Sequence, residues 1–228
     1  MSLVTVPAHF PDMSADLEAE KRAAAQAAAD LVPAGATVGL GTGSTVAHLL
    51  RALAERDLDV RCVATSIATE TAALALGLRV EPFVVLETLD VAIDGTDQVT
   101  PDGWLVKGGG GAHVREKVVA AAARRFVVIA SSDKPVDRLA PPVPLELLAF
   151  GLPATLARLG GRAVVREGAH PSPDGGVIAD YHGPVDDPAA LAAELEAVPG
   201  VVGHGLFEPA LVHDVLVARG GEVVSWLP

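Results

Sequence analysis

Short apolar runs alternate with longer segments of helical periodicity along the first part of the chain. The apolar runs contain few polar positions, which is typical of strands buried on both faces of a parallel sheet. The longer segments end at glycine, proline or the next apolar run, as helices do. The predicted strands are 36–40, 60–65, 89–94, 104–107 and 126–131, and the predicted helices are 14–32, 46–56, 67–76 and 113–125. This alternation predicts an α/β fold with a mostly parallel sheet.

The pattern changes after about Arg138, where a proline-rich segment follows. Shorter helical and strand patterns come next, and their order predicts a small α+β lobe. The predicted helices lie near 153–158 and 188–197, and the predicted strands lie at 162–166, 176–181 and 201–207. The final segment, 213–227, contains two apolar runs that we expect to return to the first sheet as strands.

Composition limits the classes of partner. The chain has 228 residues and a formal net charge of -12, so it lacks the basic face that binding to nucleic acid or to an anionic membrane requires. Half of the residues are hydrophobic, which is enough for a sizeable core. There is one cysteine, Cys62, and the first residues do not have the pattern of a signal peptide. We therefore expect a cytoplasmic protein.

The loop after the first predicted strand, GLGTGST at 39–45, is rich in glycine and hydroxyl groups. Glycines let the backbone approach an anion closely, and the helix that follows offers its N-terminus. The loop is not a dinucleotide fingerprint, because Ser44 stands where a glycine is required, and it lacks the Gly-Lys-Ser/Thr of a P-loop. A tight turn and a phosphate site both fit the glycines; the hydroxyls of Thr42, Ser44 and Thr45 favour phosphate.

The segment DGTDQ carries Asp94 and Asp97 at the end of the predicted strand 89–94. One interpretation is an Asx-type turn in which the carboxylates cap backbone N–H groups. The other is a catalytic site, because a carboxylate that directly follows a core strand is partly desolvated and has a raised pKa.

The segment KGGGGAHVREK begins with Lys107, continues through the glycines 108–111 and places Glu116 in the early turns of a predicted helix. These charged groups could form an ordinary solvated helix face. Alternatively, the glycines fold back and bring Lys107 and Glu116 to the same cavity as Asp94. Lys134, in the segment SSDK, follows another buried strand and would lie at the same edge of the sheet, where open α/β sheets bind ligands.

These four segments, in this order and at this spacing, resemble those of the type A ribose-5-phosphate isomerase family. The resemblance extends through 177–207 and covers roughly residues 16–228. It implies a Rossmann-like catalytic domain of residues 1–138 plus 209–228, with an inserted ferredoxin-like α+β lobe of residues 139–208. It also implies a homodimer or a homotetramer.

The resemblance further implies a cofactor-free and metal-free aldose–ketose isomerase of the pentose phosphate pathway. Such an enzyme interconverts D-ribose 5-phosphate and D-ribulose 5-phosphate by proton transfer through a cis-enediolate. Carried over by position, Glu116 is the catalytic base, and Asp94, Asp97 and Lys107 surround the reacting carbons. The implied substrate-binding residues are Lys21, Thr42, Gly43, Ser44, Thr45, Gly95, Thr96, Gly108, Gly109, Gly110 and Lys134.

The sequence departs from the family pattern at two places. Gln98 stands where glutamate is common, and Gly-Ala-His-Val at 111–114 replaces the common Ala-Ala-Leu-Thr. Neither departure removes a proposed acid, base or cation, but both bear on the conformation of the loop. We interpret His113 as a residue that packs on the loop, since the seven histidines do not have the spacing of metal ligands.

Three other classes of protein share the broad fold. A sugar-phosphate sensor domain of a transcription regulator would need a DNA-binding segment, and we find no helix-turn-helix before Ser14 and no basic stripe. Amino-sugar-phosphate deaminases have a similar glycine loop, but we do not expect them to carry all four segments in this register. Coenzyme A transferases need a glutamate nucleophile and a nucleotide site. The sequence also leaves open related substrates such as arabinose 5-phosphate.

Overall fold

In the computed structural model, the described residues are 17–84 and 86–227. They form six helices and fourteen strands within these ranges. The strands are β1 (Thr37–Leu40), β2 (Arg61–Ala64), β3 (Arg79–Val80), β4 (Val91–Gly95), β5 (Gln98–Val99), β6 (Leu105–Val106), β7 (Phe126–Ser131), β8 (Val143–Leu147), β9 (Ala163–Val165), β10 (Val177–Tyr181), β11 (Val201–His204), β12 (Leu206–Phe207), β13 (Asp214–Arg219) and β14 (Glu222–Trp226). The helices are α1 (Leu17–Asp30), α2 (Ser44–Glu55), α3 (Ile67–Ala75), α4 (His113–Ala122), α5 (Leu152–Arg158) and α6 (Pro188–Glu196).

The main sheet has seven strands in the order β14–β13–β7–β4–β1–β2–β3. All neighbouring strands are parallel except β13 and β14, which form an antiparallel hairpin. The predicted α/β fold is therefore confirmed, and so is the return of the last two strands to this sheet. β7 illustrates why the strands read as continuous apolar runs, because all six of its residues are buried.

The small lobe follows the order β8–α5–β9–β10–α6–β11 along the chain. Its four strands pair antiparallel in the sheet order β11–β8–β10–β9, which is the split β-α-β arrangement of a ferredoxin-like fold. All the elements of the lobe lie inside the range predicted for it. Its division from the rest of the chain into a separate domain stays a prediction.

Strand β8, an inner strand of this lobe, was not predicted from the sequence, because Pro142 and Pro144 argued for a loop. Pro144 has no N–H group to donate, but its carbonyl group still accepts a hydrogen bond of 2.8 Å from Gly205 N. The apolar side chains of β8 on one face, including Leu145, are fully buried. Burial of this face outweighs the local preference against a strand.

The predicted strand 201–207 is two strands in the structure. β11 pairs with β8 in the lobe, whereas β12 pairs antiparallel with β6 in a three-stranded sheet with β5. Gly205 lies at the change of partner, and its carbonyl accepts a hydrogen bond of 2.8 Å from Lys107 N. A Cβ atom on Gly205 would overlap the carbonyl oxygen of Lys107, so the crossing needs a glycine.

Element boundaries differ from the predictions in ways that matter for the ligand loop. α2 begins at Ser44 rather than at residue 46, so the hydroxyls of Ser44 and Thr45 belong to its first turn. β3 and β5, of two residues each, were too short to give a pattern. The predicted start of the first helix, at residue 14, lies outside the described residues. No helix in the described ranges is both long and apolar enough to cross a membrane.

Truncation of Leu145 to alanine should lower the free energy of unfolding by about 2–5 kcal/mol, because it leaves a cavity in the centre of the lobe. Urea unfolding measures this change. Phe150→Ala is the control, since Phe150 is 92% exposed and its loss should change stability by no more than about 0.5 kcal/mol. Equal effects of the two substitutions would show that β8 is not a core strand.

Candidate active site

A cavity of about 160 Å³ opens at the carboxyl ends of β1, β4 and β7 and beside the glycine loop that follows β6. Its position agrees with the rule that open parallel sheets bind ligands at this edge. The lining residues are Lys21, Thr42, Gly43, Ser44, Thr45, Gly95, Thr96, Asp97, Lys107, Gly108, Gly109, Gly110, Glu116 and Lys134. The structure thus brings together all the predicted site residues except Asp94, which contacts Lys107 but does not line the cavity.

Lys107 is the centre of a buried ionic cluster. Its Nζ lies 2.9 Å from Asp94 Oδ2 and 3.2 Å from Glu116 Oε2, and it donates a hydrogen bond of 2.5 Å to the carbonyl of Gly95. The three charged side chains are each at least 95% buried. Burial opposes the charge of Lys107, but Asp94 and Glu116 together raise its pKa above its usual value. The lysine is therefore a permanent cation in the wall of the cavity.

Asp94 is the better stabilised of the two carboxylates. Its Oδ1 accepts hydrogen bonds from Gly95 N at 2.7 Å and Thr42 N at 3.1 Å, while Oδ2 contacts Lys107. Burial raises the pKa of Asp94, and Lys107 with the two N–H donors opposes this rise. A Cβ atom at Gly41 would overlap the Asp94 carboxyl group, so the end of β1 must be a glycine for this carboxylate to fit.

Glu116 lies in the first turn of α4 and has fewer partners. Its Oε2 is buried and lies within ion-pair distance of Lys107, but accepts no well-aligned hydrogen bond from the described residues. Burial, followed by repulsion from Asp94, raises the pKa of Glu116 to about 8, although Lys107 acts in the opposite direction. Asp94 accepts two backbone hydrogen bonds that Glu116 lacks, and the two carboxyl groups titrate as a pair around Lys107. A carboxyl group that titrates near neutrality is suited to accepting and returning a proton.

The glycine loop forms the wall opposite the sheet. Gly108 adopts a left-handed backbone conformation with φ of 109°, and Gly111 N donates to Gly108 O at 3.0 Å, which closes a turn. Asp97 is exposed at the cavity, and its Oδ2 accepts a hydrogen bond of 2.8 Å from Gly109 N. The loop is thereby tied to β4, whose end supplies Asp94 and Gly95.

The other end of the cavity is rich in donors for an anion. The N-terminus of α2 begins at Ser44, and first-turn N–H groups have no acceptor within their own helix. Lys134 follows β7 and pairs with Asp133 at 2.9 Å, and Lys21 on α1 pairs with Glu18 at 2.6 Å. Two cations and a helix N-terminus therefore converge on one small volume, as a phosphate requires.

The two departures from the family pattern have structural explanations. The side-chain amide of Gln98 donates to Ala140 O and accepts from Ala140 N, both at 2.8 Å, and only an amide can do both. His113 is fully buried against Gly108, and burial, followed by Lys117, lowers its pKa to about 3, so it is neutral. Val114 contacts Gly203 of β11 and does not line the cavity.

Two residues that support the site were missed by sequence reasoning. The ring of Phe207 lies 5.5 Å from Lys107 Nζ, within the range of a cation–π contact. Arg166 of the small lobe donates to carbonyl groups of the glycine loop. Both contact the loop or its lysine across a long separation in sequence, and neither belongs to a local motif that could have identified it.

Comparison with known proteins assigns the family. The model of the family described as ribose 5-phosphate isomerase A (phosphoriboisomerase A) matches residues 61–222, whereas a model of the DeoR C terminal sensor domain matches residues 17–79 alone. Ribose-5-phosphate isomerase A of Halobacterium salinarum is 47% identical over 201 residues, which are 83% of this chain and 88% of that protein.

Solved structures agree. Ribose 5 phosphate isomerase A from Neisseria gonorrhoeae aligns with a TM-score of 0.88 at 30% identity, covering 93% of this chain and 97% of that one. A D-ribose-5-phosphate isomerase in complex with phospho-erythronic acid aligns with a TM-score of 0.88 at 30% identity, covering 94% of this chain and 100% of that one. The fold is that of a class of sugar-phosphate isomerases. The chain belongs to the ribose 5-phosphate isomerase A family, so the resemblance found in its sequence is confirmed.

Replacing Lys107 by methionine should destabilise the protein by about 3–5 kcal/mol, because it leaves two carboxyl groups buried without a cation. Their folded-state pKa values would then lie further above the unfolded values. Such groups favour folding in acid, and this contribution is lost as pH rises through the folded pKa. The deficit should therefore grow between about pH 4 and pH 8, and urea unfolding across this range measures it.

Arg79→Met is the control for the loss of a cation. Arg79 pairs with Glu81 at 2.7 Å, but its side chain is 64% exposed, so the change should cost less than about 1 kcal/mol. A deficit of Lys107→Met that does not vary with pH would contradict the buried cluster.

Proposed function

We propose that this protein interconverts D-ribose 5-phosphate and D-ribulose 5-phosphate by proton transfer. The observation that carries the proposal is the buried Lys107 between Asp94 and Glu116, in the wall of a cavity with an anion-binding end. A cation beside a carboxyl group of raised pKa is the arrangement that enediolate chemistry needs. Membership of the family supports the same reaction and substrate.

The phosphate of the substrate would bind at the N-terminus of α2, with Lys21 and Lys134 neutralising its charge. The hydroxyls of Thr42, Ser44 and Thr45 would add hydrogen bonds. The phosphate is on C5, away from C1 and C2, so its binding energy is available to hold the reacting carbons in position. Removal of the phosphate would accordingly affect turnover as well as binding.

Glu116 would remove the proton from C2 of the open-chain aldose and return it to C1. One carboxylate on one face of a cis-enediolate can perform both steps. Negative charge develops on O1 and O2 as the proton leaves, and Lys107 is fixed beside this position by two carboxylates. N–H groups of the glycine loop would complete the stabilisation.

Ring opening requires an acid–base group that contacts the sugar. Asp94, which the family resemblance places beside the reacting carbons, is one candidate for this step, but its carboxylate accepts two N–H bonds, contacts Lys107 and does not line the cavity. Asp97 is exposed and lines the cavity. The geometry therefore favours Asp97 for ring opening and gives Asp94 the role of orienting Lys107.

The sensor-domain alternative draws on the second family match, which spans α1 to β3. That segment contains Lys21 and the N-terminus of α2, but it lacks Lys107, Glu116 and Lys134. A protein that only bound a sugar phosphate would have no need to bury a lysine between two carboxylates. We therefore favour the enzyme over the sensor.

Assembly and location are further parts of the proposal. We propose a homodimer or homotetramer that works in the pentose phosphate pathway, as the family resemblance implied. A cytoplasmic location is supported by the single cysteine, Cys62, which is fully buried and so is not available for a disulfide.

Incubation with ribose 5-phosphate, glucosamine 6-phosphate and an acyl-coenzyme A separates the candidate reactions. We expect a ketose to form from ribose 5-phosphate alone, because the cavity fits a small phosphorylated sugar. Chromatography of the sugar phosphates and an ammonia assay measure the products. Ammonia release from glucosamine 6-phosphate, or acyl transfer, without formation of a ketose from ribose 5-phosphate would contradict the proposal. Adding arabinose 5-phosphate as a competitor tests the discrimination among pentose phosphates.

Glu116→Gln should lower kcat by about 10²–10⁴-fold and leave the KM for ribose 5-phosphate little changed, because the amide cannot accept the C2 proton. In deuterium oxide, the unmodified protein should place solvent deuterium in the product. The control is Glu55→Gln, at the exposed end of α2, which should retain full activity. Activity of Glu116→Gln within tenfold of the unmodified protein would rule out Glu116 as the base.

A further inference from the structure

Arg166 follows β9 in the small lobe and is held by a bidentate ion pair. Its Nε donates to Asp180 Oδ2 at 2.8 Å, and its Nη2 donates to Asp180 Oδ1 at 2.6 Å. Asp180 lies on the neighbouring strand β10, and the backbone N of Arg166 donates to Ile178 O at 2.9 Å. Both ends of this pair therefore belong to the antiparallel sheet of the lobe, which fixes the plane of the guanidinium.

The remaining nitrogen of Arg166 contacts the glycine loop. Nη1 donates to the carbonyl groups of Gly108 at 3.1 Å and Gly109 at 2.9 Å. In a trans peptide the N–H group points opposite to the preceding carbonyl. The N–H groups of Gly109 and Gly110 therefore point away from Arg166.

The two N–H groups have different partners. That of Gly109 donates to Asp97, which lines the cavity, so the side away from Arg166 is the side of the cavity. The N–H group of Gly110 has no acceptor among the described residues, although Gly110 lines the same cavity. It is a free donor in the place where an anion could accept its hydrogen bond.

Arg166 itself lies behind the loop. It lines a separate groove together with Gly109 and Gly110, and it does not line the cavity that contains Lys107 and Glu116. Arg166 can therefore influence a ligand in the cavity only through the loop. This matters because a run of four glycines has more backbone freedom than any other sequence, and an unrestrained loop would not hold its N–H groups in one direction.

We propose that Arg166 is a positioning residue, which fixes the carbonyl groups of Gly108 and Gly109 so that the N–H of Gly110 donates to the enediolate oxygen. The inference rests on the proposed isomerase function. Arginine suits the task because its planar fork supplies a bidentate pair with Asp180 and a third nitrogen for the loop, whereas lysine has one point charge.

Arg166→Ala and Arg166→Lys should both lower kcat by about 100-fold, since loss of alignment in a catalytic site has effects of this order. The KM for ribose 5-phosphate should change little, because the phosphate end of the cavity is on α2. Guanidinium ion, added to Arg166→Ala below the concentration that unfolds it, should restore part of kcat. A purely structural role in the lobe would not give this rescue under conditions in which the variant is folded.

Asp174→Asn provides the matched control. Arg115 on α4 forms a bidentate pair with Asp174, at 2.8 and 2.7 Å, which also connects the lobe to the rest of the chain but does not touch the glycine loop. This variant should keep the kcat of the unmodified protein. Asp180→Asn retains Arg166 but weakens its bidentate pair, because an amide has one acceptor oxygen instead of two. It should lower kcat by less than Arg166→Ala does.

Wild-type kcat in folded Arg166→Ala, or in folded Asp180→Asn if the alanine variant does not fold, would overturn the inference. So would a loss of kcat that guanidinium does not reverse and that Asp174→Asn shares. These outcomes leave the proposed function intact if Glu116→Gln remains inactive. Failure of the unmodified protein to form a ketose from ribose 5-phosphate would instead reject the proposed function itself.

Discussion

The buried ammonium group of Lys107 is the constraint on which the rest of the site depends. A lysine that is 2% exposed is tolerated only if anions compensate its charge, and here Asp94 and Glu116 do so at 2.9 and 3.2 Å. The three residues come from β4, β6 and α4, three elements that meet only in the folded protein. The fold and the charge cluster therefore depend on each other, because burying Lys107 without the carboxylates, or the carboxylates without Lys107, leaves uncompensated polar groups and destabilises the fold.

Close packing around the same cluster requires glycine at three positions. A Cβ atom at Gly41 would overlap Asp94, one at Gly205 would overlap the carbonyl of Lys107, and one at Gly108 would lie 2.7 Å from the ring of His113. These three glycines precede or follow different strands, yet each allows another chain segment to approach the cluster. Their common role is close packing around the charges, whereas Gly109 and Gly110 are open to the cavity.

The parts of the site that lie on single segments of sequence could be predicted, and those that depend on distant contacts could not. Each of the four segments marks the end of a predicted strand, and parallel strands bring these ends to one edge of the sheet. The position of the cavity could therefore be predicted from local sequence patterns. β8 was missed because its prolines argue locally for a loop while burial of residues such as Leu145 favours a strand. Arg166 was missed because it contacts the glycine loop from 57 and 58 positions away. The absence of Asp94 from the lining of the cavity could not be predicted either, since the sequence at the end of a strand does not show which side chains other segments will cover.

Contacts from other parts of the chain explain why the glycine loop is ordered, although a run of glycines has high backbone freedom. Elements outside the small lobe supply Asp94, Asp97, Glu116 and Lys107, which would carry the charges of the reaction. The small lobe supplies Gly205, which binds the backbone of Lys107, and Arg166, which binds the carbonyl groups of the loop. Backbone donors are useful to a developing anion only if their direction is fixed beforehand. The loop has no side chains with which to fix itself, so the restraint has to come from another part of the chain, and the hairpin of β9 and β10 is in contact with it.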